Sequence, residues 1–392
     1  MEKPKIRFLK NKHSWVRNTF EEIAKRRTKS SDNPDLPRIE YQDIVSGEGR
    51  LNKDLNKNTD FRKGIVFETN DILYGKLRPY LKNWLHPNFN GIALGDFWVL
   101  QARNCDSKFL FSLVQSPKFQ RVANDTSGTK MPRSDWKTVS QTEFSIPTSN
   151  EEQSAIGSLF RTLDDLLASY KDNLANYQSL KATMLSKMFP KAGQTVPEIR
   201  LDGFEGEWKI KKLSEVIKFY SGLTYKPSDV LSSGTLVLRS SNVREGELIY
   251  IDNVFVDPGI VNCENVKLGD IVVVVRNGSR DLIGKHALIK SEMPNTVIGA
   301  FMTGIRCDNP EFINALLDTK MFIYEINRNL GATINQITTG NFKKMKFYFP
   351  LTDEQQAIGS YFSNLDHLIV AHQEKISQLE TLKKRLLHDM FI

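Results

Sequence analysis

The residues with the clearest chemical use are polar and basic side chains gathered in turn-forming segments. Lys76 and Arg78 fall in Tyr74-Gly-Lys-Leu-Arg-Pro79, and Arg276, Asn277 and Ser279 occupy the matching place in a second, similar region. Two Gly-led loops, 127–134 and 331–339, add Thr129, Lys130 and Arg133 in the first and Thr333, Asn335 and Gln336 in the second. Arg26 and Arg27 sit in Lys25-Arg-Arg-Thr28, and Tyr225 and Lys226 follow Ser221-Gly222 as their counterpart. Arginine and lysine pair with guanine edges and asparagine and glutamine with adenine edges, while hydroxyls and most lysines touch phosphate. Taken singly, any of these is equally a solvated loop residue. As groups, the loops have the composition of a surface that reads nucleic acid.

Catalytic chemistry is poorly represented. There is no Asn-Pro-Pro-Tyr or Asp-Pro-Pro-Tyr run for adenine methylation, and no Gly-x-Gly-x-x-Gly after a strand for a nucleotide or S-adenosylmethionine fold. Gly278 to His286 superficially resembles a phosphate loop. It has five residues between its glycines instead of four, and His286 stands where a metal-binding hydroxyl belongs, so a β-turn with a basic tip is expected. The six histidines form no ligand-spaced cluster, and Cys105, Cys263 and Cys307 have neither CxxC spacing nor a nearby histidine pair. No metal site is expected. The net charge of +8 is concentrated in residues 1–148, which hold 26 Lys and Arg against 17 Asp and Glu, whereas residues 194–350 hold 19 against 18. A basic unit suits a polyanion, because each neutralised phosphate releases counterions.

The elements that must position these loops are announced by a repeat. Residues 152–189 and 354–391 align without a gap at an offset of 202, with Ala155 on Ala357, Gly157 on Gly359, Phe160 on Phe362 and Asp164 on Asp366. Phe160, Leu167 and Leu174 form one series spaced by seven, and Leu163, Tyr170, Tyr177 and Met184 form another, offset by three. The second copy supplies Phe362, Ile369 and Ile376 with Leu365, His372, Leu379 and Leu386. This is the seam of a coiled coil. One position breaks it in both copies, where Lys181 and Lys383 stand. A helix of about 37 residues would be about 55 Å long. Asn150 and Thr352 are the expected N-caps. A seam of this length needs a partner, and the equivalent helix, running antiparallel under a pseudo-two-fold, is the expected one.

Each helix follows a strand-rich globular unit. Trp15 to Ile23 and Trp208 to Val216 read as an opening strand and short helix; Asn70-Asp71 and Gly269-Asp270 start strands. Helical segments are expected at 108–119 and 311–329, and strands ending at Pro147 and Pro350 close the units. A chain of 392 residues should divide, since single cores stop growing at about 250–300 residues. The expectation is an α+β protein with a first domain at 1–148, a helix at 149–193, a second domain at 194–350 and a second helix at 351–392. No apolar run reaches the length of a membrane span and the start lacks a signal-peptide core, so a cytoplasmic location is expected.

Together, the Glu-Gln-x-Ala-Ile-Gly run that opens each helix shortly after a proline (Pro147, Pro350), the paired Trp segments and the Asp-Ile strand starts resemble the DNA-specificity subunits of type I restriction–modification enzymes, along the whole chain. That resemblance implies two pseudo-symmetric target recognition domains, each reading one half of a bipartite site in double-stranded DNA, separated by two long antiparallel coiled-coil helices. The helices would set the gap and dock two methyltransferase (modification) subunits, with motor-nuclease (restriction) subunits joining the complex. It further implies no catalytic residues and no cofactor on this chain, with S-adenosylmethionine, Mg and ATP held by the partners. The competing reading is a coiled-coil scaffold for protein ligands, without DNA specificity.

Overall fold

The structure, a computed structural model, describes residues 4–8, 14–52, 62–125, 130–330 and 335–391. It contains two units: Met1–Asn173 with His372–Ile392, and Leu174–Ala371. Each long helix contributes to both, since one runs Asn150–Lys187 and the other Thr352–Met390.

Within unit one, the opening strand Trp15–Thr19 pairs antiparallel with the closing strand Glu143–Pro147, Trp15 opposite Pro147. Unit two repeats this with Lys209–Lys212 and Lys346–Phe349. A four-stranded antiparallel sheet follows in each. Its order is Ala24–Arg26, Phe97–Ala102, Ile72–Gly75, Trp84–Leu85 in unit one. In unit two it is Lys218–Ser221, Met302–Arg306, Ile271–Val274, His286–Leu288. The strand Ile271-Val-Val-Val274 is fully buried, which is why it reads as an unbroken β-branched run and does not alternate. A second four-stranded sheet differs between units. Gly91–Ala93 lies between Gly64–Phe67 and Arg38–Ile39 in unit one, whereas Thr235–Leu238 lies between Val254–Val256 and Thr296–Ile298 in unit two.

The Asp-Ile strand starts have a common cause. Asp71 accepts the Glu68 N–H at 2.7 Å and pairs with Arg27 at 2.6 Å. Asp270 accepts the Lys267 N–H at 2.9 Å and the Tyr220 hydroxyl at 2.9 Å, and pairs with Arg306 at 2.7 Å. Each carboxylate closes the turn before its strand and is neutralised by an arginine, as a buried charge requires.

The expected late helical segments are each two shorter helices. Ser107–Gln115 and Pro117–Ala123 are divided by Ser116, whose Oγ accepts the Phe119 N–H at 3.3 Å. Pro310–Leu317 and Lys320–Asn329 are divided at Thr319, whose Oγ1 accepts the Phe322 N–H at 3.2 Å. A side-chain cap starts a new helix more cheaply than an old one can be bent.

The repeated opening of the long helices is a docking device. Glu152 and Glu354 are almost wholly buried; the first is bound bidentately by Arg7 at 2.6 and 2.7 Å, the second by Arg200 at 2.8 and 2.6 Å. Gln153 donates to the Pro147 carbonyl at 2.8 Å, and Gln355 to that of Pro350 at 3.0 Å. A Cβ on Gly157 would lie 2.5 Å from the Phe109 backbone nitrogen, and one on Gly359 2.8 Å from that of Phe312. Only glycine lets the domain helix approach so closely. Both helices begin with Asn150 and Thr352 as helical residues, so the cap lies one residue earlier than expected: Ser149 Oγ accepts the Glu152 N–H at 3.3 Å.

Along the helices Phe160, Leu163, Leu167, Phe362, Leu365, Ile376 and Leu379 are buried. Tyr170, Leu174, Tyr177, Met184, Ile369, His372 and Leu386 are half-buried. In unit one the pairing is antiparallel, with Phe160 against Phe391 and Tyr170 against His372, at ring separations of 5.8 and 5.3 Å. In unit two Phe189 meets Phe362 at 6.1 Å. Each seam lysine finds the repeated aspartate of the other helix: Lys383 reaches Asp164 at 2.5 Å in unit one, and Lys181 reaches Asp366 at 2.6 Å in unit two. Burial pushes both aspartates' pKa values up, and the lysines oppose it. Each lysine also meets the end of a domain helix, Gln115 Oε1 at 2.7 Å and Asp318 Oδ2 at 2.7 Å.

Where unit one has Trp84 and Gln115, unit two has His286 and Asp318, with His286 Nε2 3.4 Å from the carboxylate. Burial lowers the His286 pKa, but Asp318 and the Gly284 carbonyl outweigh it, and the net shift is upward. Burial raises the Asp318 pKa, but His286 and Lys181 outweigh it and bring it to about 2. The upward shift favours the charged form of the ring beside the second acid. A raised folded pKa gives stability that is fully present below the unfolded value of about 6.5 and is lost as pH rises through the folded value. The melting temperature of unit two should fall as pH rises above neutral, and His286→Gln should flatten that slope; an unchanged slope in the variant would assign the effect elsewhere.

Candidate nucleic-acid interface

The two loop groups singled out in each unit are brought together by backbone pairing. In unit one, Leu77 and Arg133 form a β-bridge. Arg78 donates its N–H to the Pro132 carbonyl at 2.7 Å, and Ser134 donates to Lys76 at 2.8 Å. The Tyr41 hydroxyl accepts the Leu77 N–H at 3.2 Å from beneath, and burial raises its pKa to about 12, so the phenol stays protonated. In unit two, Arg276 and Gln336 form the equivalent bridge. Ile337 donates to Val275 at 2.9 Å, and Asn277 to Asn335 at 3.2 Å. Two loops from distant parts of the chain thus form one small platform at the end of each central strand.

The side chains on these platforms differ in availability. Arg78 and Lys130 are exposed, beside Tyr80 and Met131, which are more than half exposed. Arg133 Nη2 donates to Asp96 Oδ2 at 2.8 Å, and Lys76 Nζ lies 3.7 Å from the same carboxylate. Arg276 is exposed, its guanidinium 4.9 Å above the ring of Phe301. Ser279 is exposed and Gln336 half-exposed. Thr129 and Thr333 lie outside the described residues.

Four of the expected contacts have structural work that competes with DNA. Arg27 is claimed by Glu68 and Asp71, each at 2.6 Å, so its charge is spent within the fold. Arg26 lies 4.3 Å over the Trp136 ring, half-buried. Asn277 donates to Ser240 Oγ at 3.0 Å and accepts the Ser279 N–H at 3.0 Å. Reading an adenine edge needs an amide's donor and acceptor together; here each already makes one bond within the loop, which fixes the amide's orientation. Asn335 likewise donates to the Gly278 carbonyl at 2.9 Å. Tyr225 packs on the buried Leu223 and Val237 cluster, while Lys226 is exposed. The segment 280–282 is a 3-10 turn tipped by exposed Arg280, and His286 is buried in the network above.

Sequence reasoning missed Asp96 and Phe301. The signal was the residue immediately before each long central strand, and it becomes visible only when the two units are aligned by strand register and not by residue type. Among the described residues, no cluster of His, Cys, Asp and Glu could hold a metal ion, and no helix is long and apolar enough to cross a membrane.

This arrangement has close parallels. Residues 205–381 match the family model of the type I restriction modification DNA specificity domain. Over 350 residues the chain is 25% identical to the type I restriction enzyme MjaVIII specificity subunit of Methanocaldococcus jannaschii, covering 83% of this chain and 79% of that protein. It is 25% identical over 223 residues to the type I restriction enzyme EcoDI specificity subunit of Escherichia coli, covering 54% of this chain and 49% of that one. The crystal structure of a type I restriction–modification S subunit from M. genitalium shares the fold, with a TM-score of 0.67 at 16% identity over 100% of this chain and 99% of that one. The chain is thus similar to type I restriction enzyme specificity subunits, through the DNA specificity domain matched at residues 205–381 and over 83% of its length in the first of these relatives, and it shares the fold of a solved S subunit.

Proposed function

We propose that each unit reads one half of a split, asymmetric site in double-stranded DNA. The observation that carries this is the loop platform. It is built on the same strand frame in both units, by the same bridge, yet carries different side chains: Leu77 and Arg133 in one, Arg276 and Gln336 in the other. A common frame with divergent tips is what reading two different half-sites requires. The basic balance of residues 1–148 supplies sequence-independent attraction to phosphate.

On the same reading the long helices set the gap between half-sites and dock two methyltransferase subunits. Leu166 and Leu368 are repeat equivalents, as are Leu180 and Leu382, and all four are exposed. Single exposed leucines are ordinary; the duplicated placement of all four, one pair in each unit, favours two equivalent docking surfaces. Motor-nuclease subunits join through that complex, S-adenosylmethionine, Mg and ATP are held by the partner subunits, and the assembly works in the cytoplasm.

A coiled-coil scaffold without DNA specificity makes the opposite prediction about salt. With its methyltransferase, the chain should bind duplex DNA with an affinity that falls linearly on a log–log scale with salt. For about six to ten phosphate contacts the loss between 50 and 200 mM is about a thousandfold or more. Titration by fluorescence anisotropy measures this, and an affinity for duplex that is absent or indifferent to salt would favour the scaffold.

A further inference from the structure

Strand register fixes a one-to-one correspondence between the platforms. Phe97 lies opposite Gly75 in unit one, and Met302 opposite Val274 in unit two. Asp96 and Phe301 therefore occupy one position. The backbone confirms it, since Asp96 accepts the Lys76 N–H at 2.9 Å and Phe301 accepts the Val275 N–H at 3.0 Å. By the same register Leu77 corresponds to Arg276, and Arg133 to Gln336. The guanidinium thus sits on opposite sides of the bridge in the two units. In each it is held by the residue at the shared position: Asp96 takes Arg133 by one Nη at 2.8 Å, and Phe301 lies 4.9 Å beneath Arg276.

Resting on the DNA-reading function above, we propose that Asp96 and Phe301 are positioning residues that select which loop delivers the base-reading arginine and fix its orientation. A guanidinium reads guanine by presenting two donors to O6 and N7, and that discrimination depends on its orientation. A carboxylate gripping one edge leaves the remaining donors aimed outward. An aromatic face holds the cation by its quadrupole and consumes none of its N–H groups. Phe301 is 54% exposed, so its ring is not retained as core; its contact with Arg276 gives it a use at the surface. A half-buried acid such as Asp96 would otherwise only repel phosphate.

The test uses the complete chain with its methyltransferase, and reads both the methylated motif and binding to a panel of single-base-pair duplex variants. Phe301→Ala should relax discrimination at one base pair of the second unit's half-site by about fivefold or more, the low end of a bidentate contact. The first half-site should be untouched, and Phe301→Tyr should restore selectivity. Asp96→Ala should do the same at one base pair of the other half-site, with Asp96→Glu partly restoring it. Equal weakening across every duplex in the panel, or unchanged discrimination, would overturn the inference. Absence of any base preference in the unsubstituted complex would overturn the DNA-reading account itself, and this inference with it.

Discussion

Seven residues inserted after Asn173, together with seven after Ala371, are expected to widen the recognised gap by about two to four base pairs and leave both half-site sequences unchanged. These are the points at which the two long helices pass from one unit's residues to the other's. One heptad keeps the apolar seam in phase and lengthens each helix by about 10 Å at about 1.5 Å per residue. At about 3.4 Å of rise per base pair, that is roughly three base pairs. The heptad drifts by only about 20° from two full helical turns, whereas three base pairs rotate the duplex by about 100° at about 10.5 base pairs per turn. The wider site should therefore be methylated more weakly than the native one.

A single insertion is a different experiment. It leaves one helix longer than its partner, so the Lys383–Asp164 pair or the Lys181–Asp366 pair must break. Both pairs are part-buried, and separating one while leaving a charge unpaired costs up to about 3–5 kcal/mol, enough to compromise assembly. An active double variant with an unchanged gap would show that the helices do not set the spacing.

The long helices were legible because their signal is periodic and stated twice. The buried seam along 150–187 follows from apolar residues at helical spacing, whereas exposed Leu166 and Leu180 and buried Glu152 do not follow from side-chain type. What the lysines at 181 and 383 were for was not legible. Their partners Asp366 and Asp164 lie in the other copy, and an antiparallel pairing joins residues nearly 200 positions or more apart in sequence.

In the recognition loops the sequence supplied the groups but not the individuals. Arg27 and Arg276 look alike in sequence. One is neutralised by two carboxylates delivered by a strand start 41 or more residues on, and the other rests on an aromatic ring 25 positions away. That the Asn277 amide is already oriented by Ser240 is visible only in three dimensions. These differences are set by tertiary neighbours, which turn-forming segments do not encode locally.

The most direct test of the central claim exchanges residues 1–148 for the first domain of a type I specificity subunit and sequences the methylated sites in cells that carry the chimera with its methyltransferase. The junction preserves the helix from Asn150, provided the donor keeps an arginine for Glu152 and a close-packing helix against Gly157. Both requirements recur in unit two at Arg200–Glu354 and Gly359, so they belong to the shared frame and not to specificity. The account predicts that one half-site takes the donor's sequence while the other half-site and the gap are retained. A motif changed in both halves, or in neither, would contradict it.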